Sequence, residues 1–232
     1  MKKIIVTSSI IFIGIAIAVY MIADVQSKNS QLGPNIKTNP TCFISSSEIS
    51  QYQLPLKNSV ICNQHVISDF NLINQLGDSV DIDIINNKIC IVDFFFVSCG
   101  SICPKMNTQL KRIHDKYINN DKVVLLSHTV WPEMDSAEVL YDYAKSYGAN
   151  STKWQFLTGD KKELYRMARE NYLVVPDITD SSFKHGGDAD FIHTENVVLV
   201  DVNKKIRGIY DGISKKDINR LMSDIDYLLS EQ

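Results

Sequence analysis

The run Ile89–Val97, ICIVDFFFV, constrains the fold more than any other stretch of this chain. A strand with one wet face alternates apolar and polar residues. A run broken only by Asp93 instead has the pattern of a strand covered on both faces. One serine later come Cys99 and Cys103, separated by three residues, and then Pro104. Proline suits the first turn of a helix, where its missing N–H costs nothing. Met106, Leu110, Ile113 and Tyr117 follow at helical spacing and share one face. The two cysteines therefore sit where an interior strand feeds a helix.

The other elements follow from the same periodicities. After a Gly77-Asp78 turn, Val80, Ile82 and Ile84 alternate with Ser79, Asp81 and Asp83 as in a half-buried strand. Lys122–His128 reads as a second buried strand. A helix is expected from Ser136 to Tyr147, with Val139, Leu140, Tyr143 and Tyr147 inward. Asp160-Lys-Lys-Glu163 has the form of a capping box ahead of LYRMARENY. Val197–Asp201 and Ile206–Tyr210 make a hairpin around an Asn-Lys-Lys turn. Ser214-x-x-Asp217 then opens a final helix with Ile218, Leu221, Ile225 and Leu228 on one side. The order β-β-α-β-α-α-β-β-α is that of an α/β, thioredoxin-like domain: a central mixed sheet flanked by helices, over residues 64–232.

The N-terminus has a different character. Met1-Lys2-Lys3 precedes the 20 uncharged residues Ile4–Ala23. As a helix these reach about 30 Å, the hydrocarbon thickness of a bilayer. Cleaved signals usually have a shorter apolar region and a small-x-small site, which Val19, Tyr20 and Met21 do not supply. Residues 1–23 are thus expected to be an uncleaved single-pass anchor, with a cleaved signal as the alternative. In both cases the lysines stay cytoplasmic and the rest is exported to the extracytoplasmic (periplasmic) side of the cell membrane. Residues 24–63, polar and irregular with Gly33-Pro34 and Asn39-Pro40, form a linker and N-terminal extension. With 24 basic against 27 acidic residues, nothing marks a nucleic-acid footprint.

There are five cysteines. Cys90 lies inside the apolar strand and reads as a small core residue. In an oxidising compartment Cys42 and Cys62 form a candidate structural disulfide. Cys99 and Cys103 carry the chemistry. A helix N-terminus favours thiolate, the form that both binds soft metals and attacks disulfides. Their spacing sets the sulfurs about one turn apart, able to converge on one ion. Cu(I) is soft and accepts two or three ligands, whereas zinc wants four. A disulfide between the two is equally allowed by geometry.

A third ligand has to come from His65, His114, His128, His185 or His193. His114 lies off the apolar face of its helix and is expected at the surface. His65 has no special context. His128 ends a strand and is a candidate to approach a site at the strand ends. His185 and His193 flank the loop GGDADFI. His193, just before a later strand, has the topology to face the helix start. Taken alone, a lone loop histidine is more often a solvated residue.

The stretches DFFFVSCGSICPKM, LLSHTVWPEMDSAEVLYDYAKSYG, WQFLTGDKKELY and FIHTENVVLVDVNKKIRGIYDG together resemble the Sco (SenC) family, from about Asp69 to Leu229. These are membrane-anchored, thioredoxin-like copper proteins needed to assemble cytochrome c oxidase. The resemblance implies copper, as Cu(I) or Cu(II), held by Cys99, Cys103 and His193. It implies as acceptor the copper-binding subunit of cytochrome c oxidase or another apo-cuproprotein. Two departures stand out. The family usually has proline after the first cysteine, where Gly100 stands here and should loosen the loop. Its Asp-Pro-x-x-Asp segment reads Trp131-Pro132-Glu133-Met134-Asp135, so the first acid is missing. Asp135 reads as a helix N-terminal residue rather than a ligand.

A thiol–disulfide oxidoreductase acting on the oxidase subunit or other exported proteins is the alternative, one cysteine attacking and the other resolving. Such enzymes use Cys-x-x-Cys and a cis-proline before a later strand, and no proline occurs from Asp177 to Gln232. A thiol peroxidase lacks its Thr-x-x-Cys context here. A merely structural Cys99–Cys103 disulfide is a minor, bland alternative.

Overall fold

The computed structural model of the chain describes residues 65–174, Ile192 and residues 194–232. The strands are β1 (Asn71–Asn74), β2 (Ser79–Asp81), β3 (Ile89–Phe95), β4 (Val123–Thr129), β5 (Trp154–Thr158), β6 (Asn196–Val200) and β7 (Ile206–Asp211). The helices are α1 (Ile102–Tyr117), α2 (Ala137–Ser146), α3 (Lys161–Arg166) and α4 (Lys215–Ser230). The strands form one 7-stranded sheet in the order β2-β1-β5-β4-β3-β6-β7. β3, β4 and β5 are parallel; β1 and β6 flank them antiparallel, and β2 and β7 close the edges. This is the mixed sheet flanked by helices that the sequence predicts. Among the described residues no helix is long and apolar enough to cross a membrane. The predicted anchor Ile4–Ala23, the linker, Cys42 and Cys62 lie outside them.

β3 is interior because both its faces are apolar. Cys90, Val92 and Phe94 enter a core shared with α3, while Ile89, Ile91 and Phe95 enter a second core shared with α1, α2 and α4. On α1 the four residues of the predicted face, Met106, Leu110, Ile113 and Tyr117, are all buried. Each of the three aliphatic ones contributes about 1.5–3 kcal/mol by leaving water. The Tyr117 hydroxyl donates to the Met222 carbonyl and to Asp226 Oδ1, both at 2.8 Å, locking α1 onto α4. Ser214 caps α4 and Asp160 caps α3 through their side-chain oxygens, as the sequence signatures require.

Four local expectations change. The alternation at Val80, Ile82 and Ile84 does not continue as a strand. Asp81 Oδ1 accepts the Asp83 N–H at 2.9 Å and turns the chain into a 3₁₀ helix over Ile82–Ile85. β5 is absent from the predicted order, because five residues without clear alternation carry little local signal. It forms through long-range pairing with β1 and β4. Val139 is 38% exposed; Leu140 is buried and Tyr143 and Tyr147 pack against the core as predicted, with Ala144 the buried residue that the prediction omitted. His114 is buried rather than superficial: its Nε2 accepts the Asn150 N–H at 3.1 Å and its Nδ1 faces Asp115 at 3.0 Å.

His128 also belongs to the core. It stacks on Phe94, with ring centroids 5.0 Å apart, and lies 5.4 Å from the Tyr172 ring. Neither ring nitrogen makes a hydrogen bond of good geometry. Burial lowers its pKa to about 4, against a smaller opposing effect of the Asp93 and Leu126 backbone. The unfolded chain therefore takes up a proton that the folded one refuses. This stabilisation is present above about pH 6.5 and is lost as pH falls toward 4, a term of roughly 3 kcal/mol. Replacing His128 with phenylalanine is expected to move the acid-unfolding midpoint, followed by circular dichroism, to lower pH. An unmoved midpoint would assign the acid sensitivity to other groups.

Candidate functional site

β3 ends at Phe95, and the chain turns before α1 begins at Ile102. The Cys99 N–H donates to the Phe96 carbonyl at 3.2 Å, which closes the turn. Ser101 occupies the N-cap of α1 without making a side-chain cap bond. The first N–H groups of the helix are then left to other acceptors. The Cys99 sulfur takes that role, accepting the Cys103 N–H at 3.5 Å. Both cysteines are free thiols, Cys99 half-buried and Cys103 buried.

The two sulfurs are electrostatically unlike. Burial pushes the Cys99 thiol up. The Cys103 thiol and the backbone N–H groups of Cys103, Ser101 and Ile102 outweigh it and bring the pKa down to about 7. For Cys103, burial is the main influence and raises the pKa to about 12. The Cys99 and Asp93 charges add to that rise, and the Phe96 backbone opposes it. At neutral pH Cys99 is partly thiolate and Cys103 is a thiol. Gly100 does not adopt a left-handed backbone, and a Cβ there would meet nothing within 4 Å. Nothing in the loop demands glycine.

Both cysteines line a pocket whose floor is Phe94–Phe96 and whose further wall is Ile192 and Thr194. That wall is tied down at its root, where the Thr194 hydroxyl and the Asn196 side-chain amide donate to the Val174 carbonyl at 3.4 and 2.9 Å. Asp93, the residue of β3 just before the pocket-lining Phe94–Phe96, is 1% exposed. Its Oδ1 accepts the Ser127 hydroxyl, whose oxygen accepts the Trp154 indole N–H at 2.8 Å. Its Oδ2 has no hydrogen-bond partner. Burial raises the Asp93 pKa to about 7, although the Ser127 bond pulls the other way. Asp93 is not among the site residues predicted from sequence, although a lone carboxylate in an apolar strand is a visible signal.

Of the residues proposed from sequence, Cys99 and Cys103 come together at the helix start. His193 and His185 lie outside the described residues. His128 is buried in the core, and His114 is held by Asn150 and Asp115. His65 Nε2 sits 2.6 Å from the Asn171 carbonyl. Among the described residues no three metal-binding side chains converge. Two sulfurs fit a soft ion of low coordination number and fall short of a four-coordinate zinc site.

Comparison with known proteins is consistent with this arrangement. The SCO1/SenC family model matches residues 59–230. The SCO1 protein homolog of Bacillus subtilis is 26% identical over 161 residues, covering 68% of this chain and 80% of the relative. BsSco, solved with a disulfide switch and described as a member of the Sco family of cytochrome c oxidase assembly proteins, superposes with a TM-score of 0.60 at 24% identity. It covers 72% of this chain and 95% of its own. ScoI of Arabidopsis thaliana, solved with copper bound, superposes with a TM-score of 0.56 at 22% identity, covering 72% and 99%. At these identities the two superpositions establish the thioredoxin-like fold.

Proposed function

The chain belongs to the SCO1/SenC family, and we propose that it is a copper-binding metallochaperone. It holds copper through Cys99, Cys103 and His193 and passes the ion by ligand exchange to a copper site of cytochrome c oxidase or another apo-cuproprotein. The observation that carries this reading is the shared pocket. Ile192 and Thr194, the chain neighbours of His193, line the same pocket as the two thiols. An imidazole there completes a three-donor set suited to Cu(I) and tolerated by Cu(II). Ligand exchange needs a donor open to the acceptor, and half-buried Cys99 is that donor. The copper-bound ScoI and the oxidase-assembly description of BsSco give the same direction.

The proposal includes the uncharged segment Ile4–Ala23 as a single-pass anchor, with residues 64–232 on the extracytoplasmic side. In the test, His193→Ala removes tight Cu(II) binding and weakens Cu(I) binding, while Cys99 and Cys103 still oxidise to a disulfide. Equal copper affinity in the variant would rule out the third-ligand role.

One observation favours a second reading, thiol–disulfide exchange with the partner's cysteines. Cys99 is half-buried with a pKa of about 7, and Cys103 is buried with one of about 12. That asymmetry suits an attacking and a resolving thiol. A disulfide switch has been identified in the structural relative BsSco.

A further inference from the structure

The loop between β4 and α2 lies against the segment that joins β3 to α1. The Val130 N–H donates to the Phe95 carbonyl at 2.8 Å. Asp135, 2% exposed, turns its carboxylate to the same segment. One oxygen, Oδ2, accepts both the Val97 N–H at 3.1 Å and the Thr129 hydroxyl. Thr129 Oγ1 accepts the Trp131 N–H at 3.0 Å, and the Trp131 carbonyl accepts the Met134 and Asp135 N–H groups at 3.0 and 2.9 Å. Trp131 packs edge-on against Phe96, with centroids 6.2 Å apart.

Val97 lies just past the end of β3, where the ladder no longer receives its N–H. A part-buried N–H without a partner costs about 1–3 kcal/mol, so the acceptor that meets it decides where the chain runs. From Val97 two residues remain to Cys99, and its sulfur must reach the first N–H groups of α1. We infer that Asp135 is a positioning residue, holding the Val97–Cys99 segment so that the Cys99 sulfur stands at the start of α1 beside Cys103. Asp135 acts as a hydrogen-bond acceptor here, not as a ligand or through its charge. Both bonds converge on one oxygen, so an amide oxygen serves equally well. The role deepens the copper reading, but its effect on the thiol pair does not depend on copper.

The test compares Asp135→Ala and Asp135→Asn in the full chain. The first readout is the equilibrium constant of the Cys99–Cys103 disulfide against glutathione. The second is Cu(I) affinity in competition with a chelator. Circular dichroism confirms folding. Asp135→Ala is expected to lower both constants about tenfold, the range set by loss of a supporting hydrogen bond or outer-shell partner. Asp135→Asn restores both to within about twofold. Wild-type values for Asp135→Ala would overturn the inference. So would an Asp135→Asn variant as impaired as the alanine one, which would make the charge the active property. Should Asp135→Ala fail to fold, Thr129→Val loosens the same clamp and is expected to give a smaller loss in the same direction; no loss overturns the inference. If the wild type binds no copper while the disulfide constants follow the expected pattern, the copper reading fails and the positioning role stands.

Discussion

Replacing Cys99 with serine is expected to abolish stoichiometric copper binding. Removal of outer-shell partners alone costs about 10–100-fold in metal affinity, so loss of a ligand should exceed about 100-fold. Cys103→Ser should have an effect of the same size for a different reason. Cys99 is the partly ionised sulfur at the helix start, with a pKa of about 7. Cys103, with one of about 12, gives up its proton only when the metal displaces it. Binding therefore releases protons, and affinity rises with pH between about 6 and 8. Alkylation separates the two variants. Cys103→Ser keeps a sulfur that reacts quickly with iodoacetamide at neutral pH, whereas Cys99→Ser leaves only the slow buried Cys103 at the site. Chelator competition and mass spectrometry of the alkylated protein read out both effects. A Cys99→Ser protein with wild-type affinity would remove the thiol pair from the metal site.

The second large effect is on stability. Asp93 is fully buried, with Oδ2 unpaired and a pKa near 7 against an ordinary value of 3.8. The folded state holds this proton more tightly than the unfolded state. The associated stabilisation is complete below about pH 4 and is lost as pH rises through 7. A displacement of about three pK units corresponds to roughly 4 kcal/mol. Asp93→Asn keeps an acceptor for the Ser127 hydroxyl and cannot ionise. At pH 8 the variant should be more stable than the wild type by on the order of 2–4 kcal/mol, or roughly 5–10 °C in Tm. The advantage should shrink steadily toward pH 4. Parallel stability curves for the two proteins between pH 4 and 8 would mean that Asp93 ionises without penalty.

Both effects depend on a strand–helix junction that was legible from sequence. The run ICIVDFFFV, Pro104 and the Met106–Leu110–Ile113–Tyr117 face are local signals; the helix face is realised as predicted, and the strand forms but ends at Phe95, two residues before Val97. The hairpin of β6 and β7 and the Ser214 and Asp160 caps are equally local. Apart from the local Asp81 cap that turns Ile82–Ile85 into a 3₁₀ helix, the larger misses depend on contacts distant in sequence. β5 exists because β1 and β4 receive it, and Gln75 lends its side chain to the Trp154 carbonyl and the Phe156 N–H. His114 became a core residue only when Asn150, far along the chain, came to its ring. Periodicity places a side chain on a helix face but does not say what covers that face. In the site the cysteines were plain from their spacing. The pocket wall at Ile192 and Thr194 and the clamp at Asp135 required the assembled fold.

The reduced protein titrated with copper, followed by sulfur-to-copper charge-transfer absorption, tests the copper-carrier reading most directly. The expected result is saturation at one equivalent, with an intense band that Cys99→Ser and Cys103→Ser both abolish. A titration that shows no binding at one equivalent would contradict it and leave thiol–disulfide exchange as the function of the pair.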